Sequence, residues 1–179
     1  MKILLTYFKP FGSIALNSSE EVAKLLPEFD SVGLDVSYDN DYNTLLEFID
    51  GKEYDYIVML GQAAKRSDVC IEIRAVNACN TNLADNFGVL PSEAVEAEES
   101  EYLYSNINVD ALFNDNVIKS EDAGKYLCNY MYYKVLSNIT KNAIFIHLPL
   151  FKGQVLDKDA KYELNELVSI VKGTIEKLG

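Results

Sequence analysis

The chain holds a single histidine, His147, so any histidine-dependent chemistry has to use it. It lies in the run Ile144-Phe145-Ile146-His147-Leu148-Pro149, at the carboxyl end of an expected strand, where parallel α/β sheets usually bind ligands. Cys128 falls about one turn into a helix expected to follow Gly124, where the helix dipole and free backbone N–H groups favour a thiolate. Glu72 is an ionisable residue on a half-apolar strand, with Arg74 two positions on and therefore on the same face. A thiol, an imidazole and a carboxylate that orients the ring are what thiol acyl transfer requires. Each residue also has a plainer reading: a packed cysteine, a hydrogen-bonded core histidine, a surface ion pair between Glu72 and Arg74. Composition and spacing alone do not bring the three together.

Positioning them falls to alternating strands and helices. Residues 2–7 form an apolar strand, followed by a Pro-Gly loop through Phe8 and Phe11 to Ser13. Ser18 and Glu21 make a capping box that opens a helix. A strand is expected over 32–38, a helix over 43–50, and a buried strand over 54–60 that runs into Gly61-Gln62. Residues 69–76 alternate, so Val69, Ile71, Ile73 and Ala75 share one face while Cys70, Glu72 and Arg74 share the other. A polar loop over 77–92, a short strand at 117–119, a helix over 124–139, a strand over 143–150 and an amphipathic helix over 156–178 complete the chain. This order predicts an α/β fold, a three-layer α/β/α sandwich with a mostly parallel twisted sheet, as one domain over 1–179.

Composition narrows the function classes. With 179 residues, 49% of them hydrophobic and 25% charged, the chain can build a sizeable core. Its net charge of −12 repels phosphate backbones and anionic lipid, so neither nucleic acid nor membrane is the expected partner. No run approaches the roughly 20 apolar residues of a membrane span, and the first residues lack the pattern of a signal peptide. Three cysteines, Cys70, Cys79 and Cys128, without a CxxC pair indicate neither a disulfide framework nor a zinc site. A reducing cytoplasm, with no metal and no cofactor, is the expectation.

Five stretches resemble the type I pyroglutamyl peptidases, cysteine peptidases that remove an N-terminal pyroglutamyl residue. Thr6-Tyr7-Phe8-Lys9-Pro10-Phe11-Gly12-Ser13 is similar to the family's TGFxPFGG, and Asn17-Ser18-Ser19 to the NPS that follows. Val58-Met59-Leu60-Gly61-Gln62-Ala63 is similar to VGQA, and Ile71 to Asn77 to IERxAxN. Ala123-Gly124-Lys125-Tyr126-Leu127-Cys128-Asn129 is similar to AGxxxCN, and Phe145-Ile146-His147-Leu148-Pro149 to FIHxP. The resemblance implies Cys128 as nucleophile, His147 as base and later acid, and Glu72 as the carboxylate that orients His147. It also implies substrate binding by Phe8, Phe11, Gln62, Asn17 and Asn82, with peptides carrying N-terminal pyroglutamate as partners and self-association left open. Two aromatic walls and an amide suit a flat, uncharged lactam whose N–H and C=O must be paired.

Departures from the pattern lie at Tyr7 and Ser13, which replace glycines and reduce backbone freedom near the ring pocket. Ile73 stands where the family has an arginine, and Asn82 where it has a basic residue ahead of IPDN. The alternatives are a divergent lactam-binding protein with weak or no catalysis, and a thiol amidase acting on another cyclic or γ-glutamyl-like group.

Overall fold

The computed structural model describes residues 1–12, 15–97, 99–154 and 159–178; Ser13 and the expected helix start at Leu156 lie outside them. In chain order the elements are β1 (Ile3–Phe8), α1 (Ser18–Lys24), β2 (Asp30–Leu34), α2 (Asp41–Ile49), β3 (Tyr56–Gln62), β4 (Val69–Glu72), β5 (Arg74–Val76), β6 (Tyr102–Tyr104), β7 (Val117–Ser120), α3 (Leu127–Asn138), β8 (Ala143–Leu148) and α4 (Leu164–Ile175). Six strands form the main sheet in the order β2-β1-β3-β8-β4-β7. All its pairings are parallel except β4 against β8, while β5 and β6 make a separate antiparallel ribbon.

Strands of a sheet covered on both faces have to be apolar at successive positions, and β1, β3 and β8 are. Alternate residues then feed two cores. Leu5, Leu60 and Ile146 pack with Val22 of α1 and Val171 of α4 on one face. Leu4, Met59 and Phe145 pack with Leu45 of α2 and Met131, Tyr132 and Val135 of α3 on the other. The three-layer α/β/α arrangement read from the alternation is therefore the one observed.

Several boundaries move, with local reasons. The expected strand over 69–76 breaks at Ile73, whose N–H donates to Ser120 O at 2.9 Å. Continued straight, Arg74 would lie beside the fully buried Ala143, and an unpaired guanidinium there is costly. Instead the chain turns into β5, where Arg74 stacks 4.2 Å over the Tyr102 ring. β6 lies beyond the expected polar loop, in a stretch given no element, and at three residues is too short to show period two. α1 is capped by Asn17 rather than Ser18, because Asn17 Oδ1 accepts from Ser19 N at 3.0 Å. α3 starts at Leu127 because Gly124, at φ 78, ends an approach loop instead of opening the helix. A reciprocal capping box between Glu163 and Glu166 starts α4 at Leu164.

Candidate active site

The α3 start puts Cys128 at the second residue of the helix, closer to its positive end than expected. The helix meets the sheet over Gly61 of β3. A Cβ on Gly61 would lie 2.9 Å from Cys128 Sγ and 2.7 Å from Phe145 Cζ, so only glycine admits both. Gly61 is the register partner of His147 on β8, and paired residues project to the same face. Cys128 Sγ and the His147 imidazole thus occupy neighbouring positions on the α3 face of the sheet.

On the other side of β8, Cys70 pairs with His147, and Glu72 two residues along shares that face. Glu72 Oε1 lies 2.7 Å from His147 Nδ1. The Glu72 side chain has no exposed surface and the imidazole very little. Burial opposes the charge on Glu72, but hydrogen bonding and proximity to His147, with Ser120 and Arg66 assisting, hold its carboxyl below the ordinary value. Arg66, which the sequence reading did not single out, donates to the same Oε1 at 2.6 Å. Arg74, the expected partner of Glu72, instead donates to Glu121 O at 2.9 Å.

Cys128 is reached through a cavity but crowded by protein. Burial first, and the Glu72 charge second, push its thiol up to about 12, with Arg66 and its own backbone N–H pulling the other way. Such a crowded, buried thiol favours its neutral form, which suits transfer of its proton to a neighbouring base as it attacks. Cys79 is buried and pushed up to about 11.

The cavity, of about 80 Å³, is lined by Phe8, Phe11, Asn17, Val36, Gln62, Tyr126, Leu127 and Cys128. Phe11 and Tyr126 face one another with ring centroids 5.2 Å apart, and Tyr126 OH donates to Ala84 O at 3.0 Å. Tyr126 occupies a variable position of the AGxxxCN pattern, so only its placement two residues before Cys128 could have signalled it. Gln62 Oε1 accepts from Ser18 N at 2.8 Å, Ser18 Oγ at 3.1 Å and Gln154 Nε2 at 3.0 Å. With the oxygen held, the amide offers its NH₂ to a ligand. Asn17 lines the cavity, but its amide is engaged in capping α1 and donates to Lys9 O at 3.2 Å.

Asn82 does not reach the site. It is exposed, absent from the cavity lining, and its N–H is taken by Asn80 Oδ1 at 3.1 Å. The next residues do matter. Asn86 accepts from Gly12 N at 3.3 Å and donates to Pro10 O and Asp35 O at 3.2 and 3.0 Å, tying the Phe11 loop to the β2 end. Tyr7 is also harmless to the cavity, because it points to the opposite face and fills the space over Gly33, whose Cβ would lie 2.8 Å from its ring. Asn129, buried beside Cys128, fastens α3 to β5 through Val76 N, Val76 O and Ala78 O at 2.8 to 3.1 Å.

The sequence profile of the family described as pyroglutamyl peptidase matches residues 1–178. The chain belongs to the pyroglutamyl peptidase family. Members of this family are cysteine peptidases, which accords with a thiol, an imidazole and a carboxylate gathered on one face. The pyrrolidone-carboxylate peptidase of Thermosipho africanus is 32% identical over 178 residues, covering 88% of this chain and 86% of that one. Pyrrolidone-carboxylate peptidase 1 of Caldanaerobacter subterraneus is 30% identical, with 98% and 97% covered. Among solved structures, the pyrrolidone carboxyl peptidase of Fervidobacterium islandicum AW-1 superposes with a TM-score of 0.89 at 25% identity, covering 99% of this chain and 98% of that one. That of Thermus thermophilus gives 0.88 at 25% identity. The chain thus shares its overall fold with these peptidases across nearly its whole length.

Proposed function

We propose that the chain removes N-terminal pyroglutamyl residues from peptides through a thioester formed on Cys128. The observation that carries this reading is the Gly61–His147 register, which sets Cys128 Sγ beside the imidazole at the floor of a small cavity with aromatic walls. The lactam packs in the cavity against the touching rings of Phe11 and Tyr126, and Gln62 donates from its NH₂ to the ring carbonyl.

Because His147 Nδ1 faces Glu72, Nε2 is the nitrogen left for substrate. As Sγ bonds to the acyl carbon, the thiol proton passes to Nε2 and the carbonyl electron pair moves onto oxygen. The first-turn amides of α3, which have no intrahelical acceptor, stabilise that oxyanion. The intermediate then collapses, the C–N bond breaks, and the amine leaves with the proton from Nε2. Water, deprotonated by the same nitrogen, hydrolyses the thioester and returns the thiol. Glu72 stays ionised and steadies the imidazolium.

Peptides with N-terminal pyroglutamate are the proposed substrates, and the cytoplasm the proposed location, supported by three free thiols. A fluorogenic pyroglutamyl amide, assayed with and without prior alkylation, tests the reading. Thiol-sensitive release is expected. Binding of 2-pyrrolidone that protects Cys128 from alkylation, without hydrolysis between about pH 6 and 9, would instead support the lactam-binding alternative, motivated by the remoteness of Asn82.

A further inference from the structure

Glu72 Oε1 is shared. His147 Nδ1 lies at 2.7 Å and Arg66 Nη1 at 2.6 Å from the same oxygen, on a carboxylate with no exposed surface. Arg66 comes from the loop between β3 and β4, and its second nitrogen, Nη2, donates to Asp122 O at 2.6 Å. The fork therefore grips the site from two directions, the charged oxygen at its floor and the loop leading into α3. A buried carboxylate facing a neutral imidazole has no counter-charge of its own, and a fixed guanidinium supplies one.

We infer that Arg66 is a positioning residue that balances the charge of the buried Glu72 carboxylate and holds its Oε1 against His147 Nδ1. Among the described residues, the remaining groups facing this pair are few. Cys128 and Tyr132 approach from α3, Tyr132 through a hydroxyl that donates to Glu72 O at 3.0 Å. Cys70 approaches from β4, its thiol donating to Asp68 O at 3.4 Å, and Ser120 from β7 in register with Glu72. None of them carries a positive charge, so Arg66 is the cation that balances Glu72 before the imidazole takes a proton. Without it the Glu72–His147 pair holds on to a proton at higher pH, and the base is unavailable where the wild type works.

The consequence for turnover rests on the peptidase reading; the titration itself does not. Since His147 is the chain's one histidine, its ring proton NMR signal needs no assignment by mutation. Arg66→Gln and Arg66→Met remove the charge, Gln retaining a polar amide, whereas Arg66→Lys keeps the charge without the fork. In both neutral variants the histidine transition and the acid limb of kcat/KM are expected to move to higher pH by about one unit. Arg66→Lys should leave the transition near its wild-type position while losing part of kcat.

An unmoved transition in a folded neutral variant would overturn the inference, because a merely structural loop anchor changes rate and stability without shifting a titration. So would a full-sized shift in Arg66→Lys, which can be read even if neither neutral variant folds. A shifted histidine in a protein that hydrolyses no pyroglutamyl amide would sink the peptidase reading and leave the role of Arg66 standing.

Discussion

Gly61 and Gln62 illustrate how single residues build this site from the end of one strand. Space at Gly61 is used by the Cys128 sulfur and the Phe145 ring at once, and the ring is packed at the core, so neither can yield. Gly61→Ala is expected to lower kcat/KM about 100-fold by displacing the thiol, and to cost roughly 1 to 3 kcal/mol of stability through overpacking. Unchanged kinetics in a folded Gly61→Ala protein would show that Cys128 does not need this seat. At Gln62 three donors converge on the side-chain oxygen. Gln62→Ala should therefore reduce both kcat/KM, about 5- to 150-fold, and melting temperature, since buried donors lose their acceptor. Phe11→Ala, on a half-buried loop ring, should lower kcat/KM with a stability loss under about 1 kcal/mol, and comparing the two melting curves checks the distinction.

Among the elements, the turn from β2 into α2 forms the least regular wall of the cavity. Val36 lies there at φ 63, a left-handed conformation that costs a β-branched residue about 1 to 3 kcal/mol. Asp41, at the start of α2, holds the turn by accepting from Asp35 N at 2.8 Å and Ser37 N at 2.9 Å. Burial nevertheless dominates and pushes its carboxyl up to about 6 from 3.8. A folded-state value above the unfolded one favours folding while the group is protonated. Its contribution is complete below about pH 4 and is lost as pH rises through 6, a change of about 3 kcal/mol. The difference in unfolding free energy between the wild type and Asp41→Asn, from denaturant melts at pH 4 and pH 7, should narrow or reverse by that order in favour of the variant at pH 7. Parallel pH profiles for the two proteins would mean that the N–H bonds, not burial, govern Asp41. Glu72 runs the opposite way, because its carboxyl is held below the ordinary value, so its contribution fails only under acid conditions.

Across the whole molecule, burial sorts three chemically identical thiols. Cys70 and Cys79 lie under the sheet and loop layers at 3% and 7% exposure, while Cys128 opens onto the cavity. The folded protein should therefore react with one equivalent of a thiol reagent, slowed by 2-pyrrolidone, and with three equivalents in denaturant. Two or more fast equivalents in the folded state would show that the layers open far more readily than their packing implies. Cys79→Ser should keep activity. Cys70→Ser is a more sensitive change than its sequence position suggests, because register sets it beside His147.

The sequence by itself determined the layer architecture and pointed to the groups proposed to react. Apolar runs and helical periodicity are local properties, and burial on two faces leaves them little freedom, so the order of elements could be read along the chain. The single histidine and the short patterns around Cys128 and Glu72 likewise named their residues without a fold. Only the tertiary structure decided which groups meet. It paired Glu72 with Arg66 instead of Arg74, because the strand breaks at Ile73 rather than carry a guanidinium into the core. It also brought Tyr126 to the cavity as a wall and left Asn82 outside. Such pairings depend on where strands stop and how they register with distant neighbours, and those are fixed by the cost of burying charge and by the fit of side chains across the sheet, neither of which is written in any one segment.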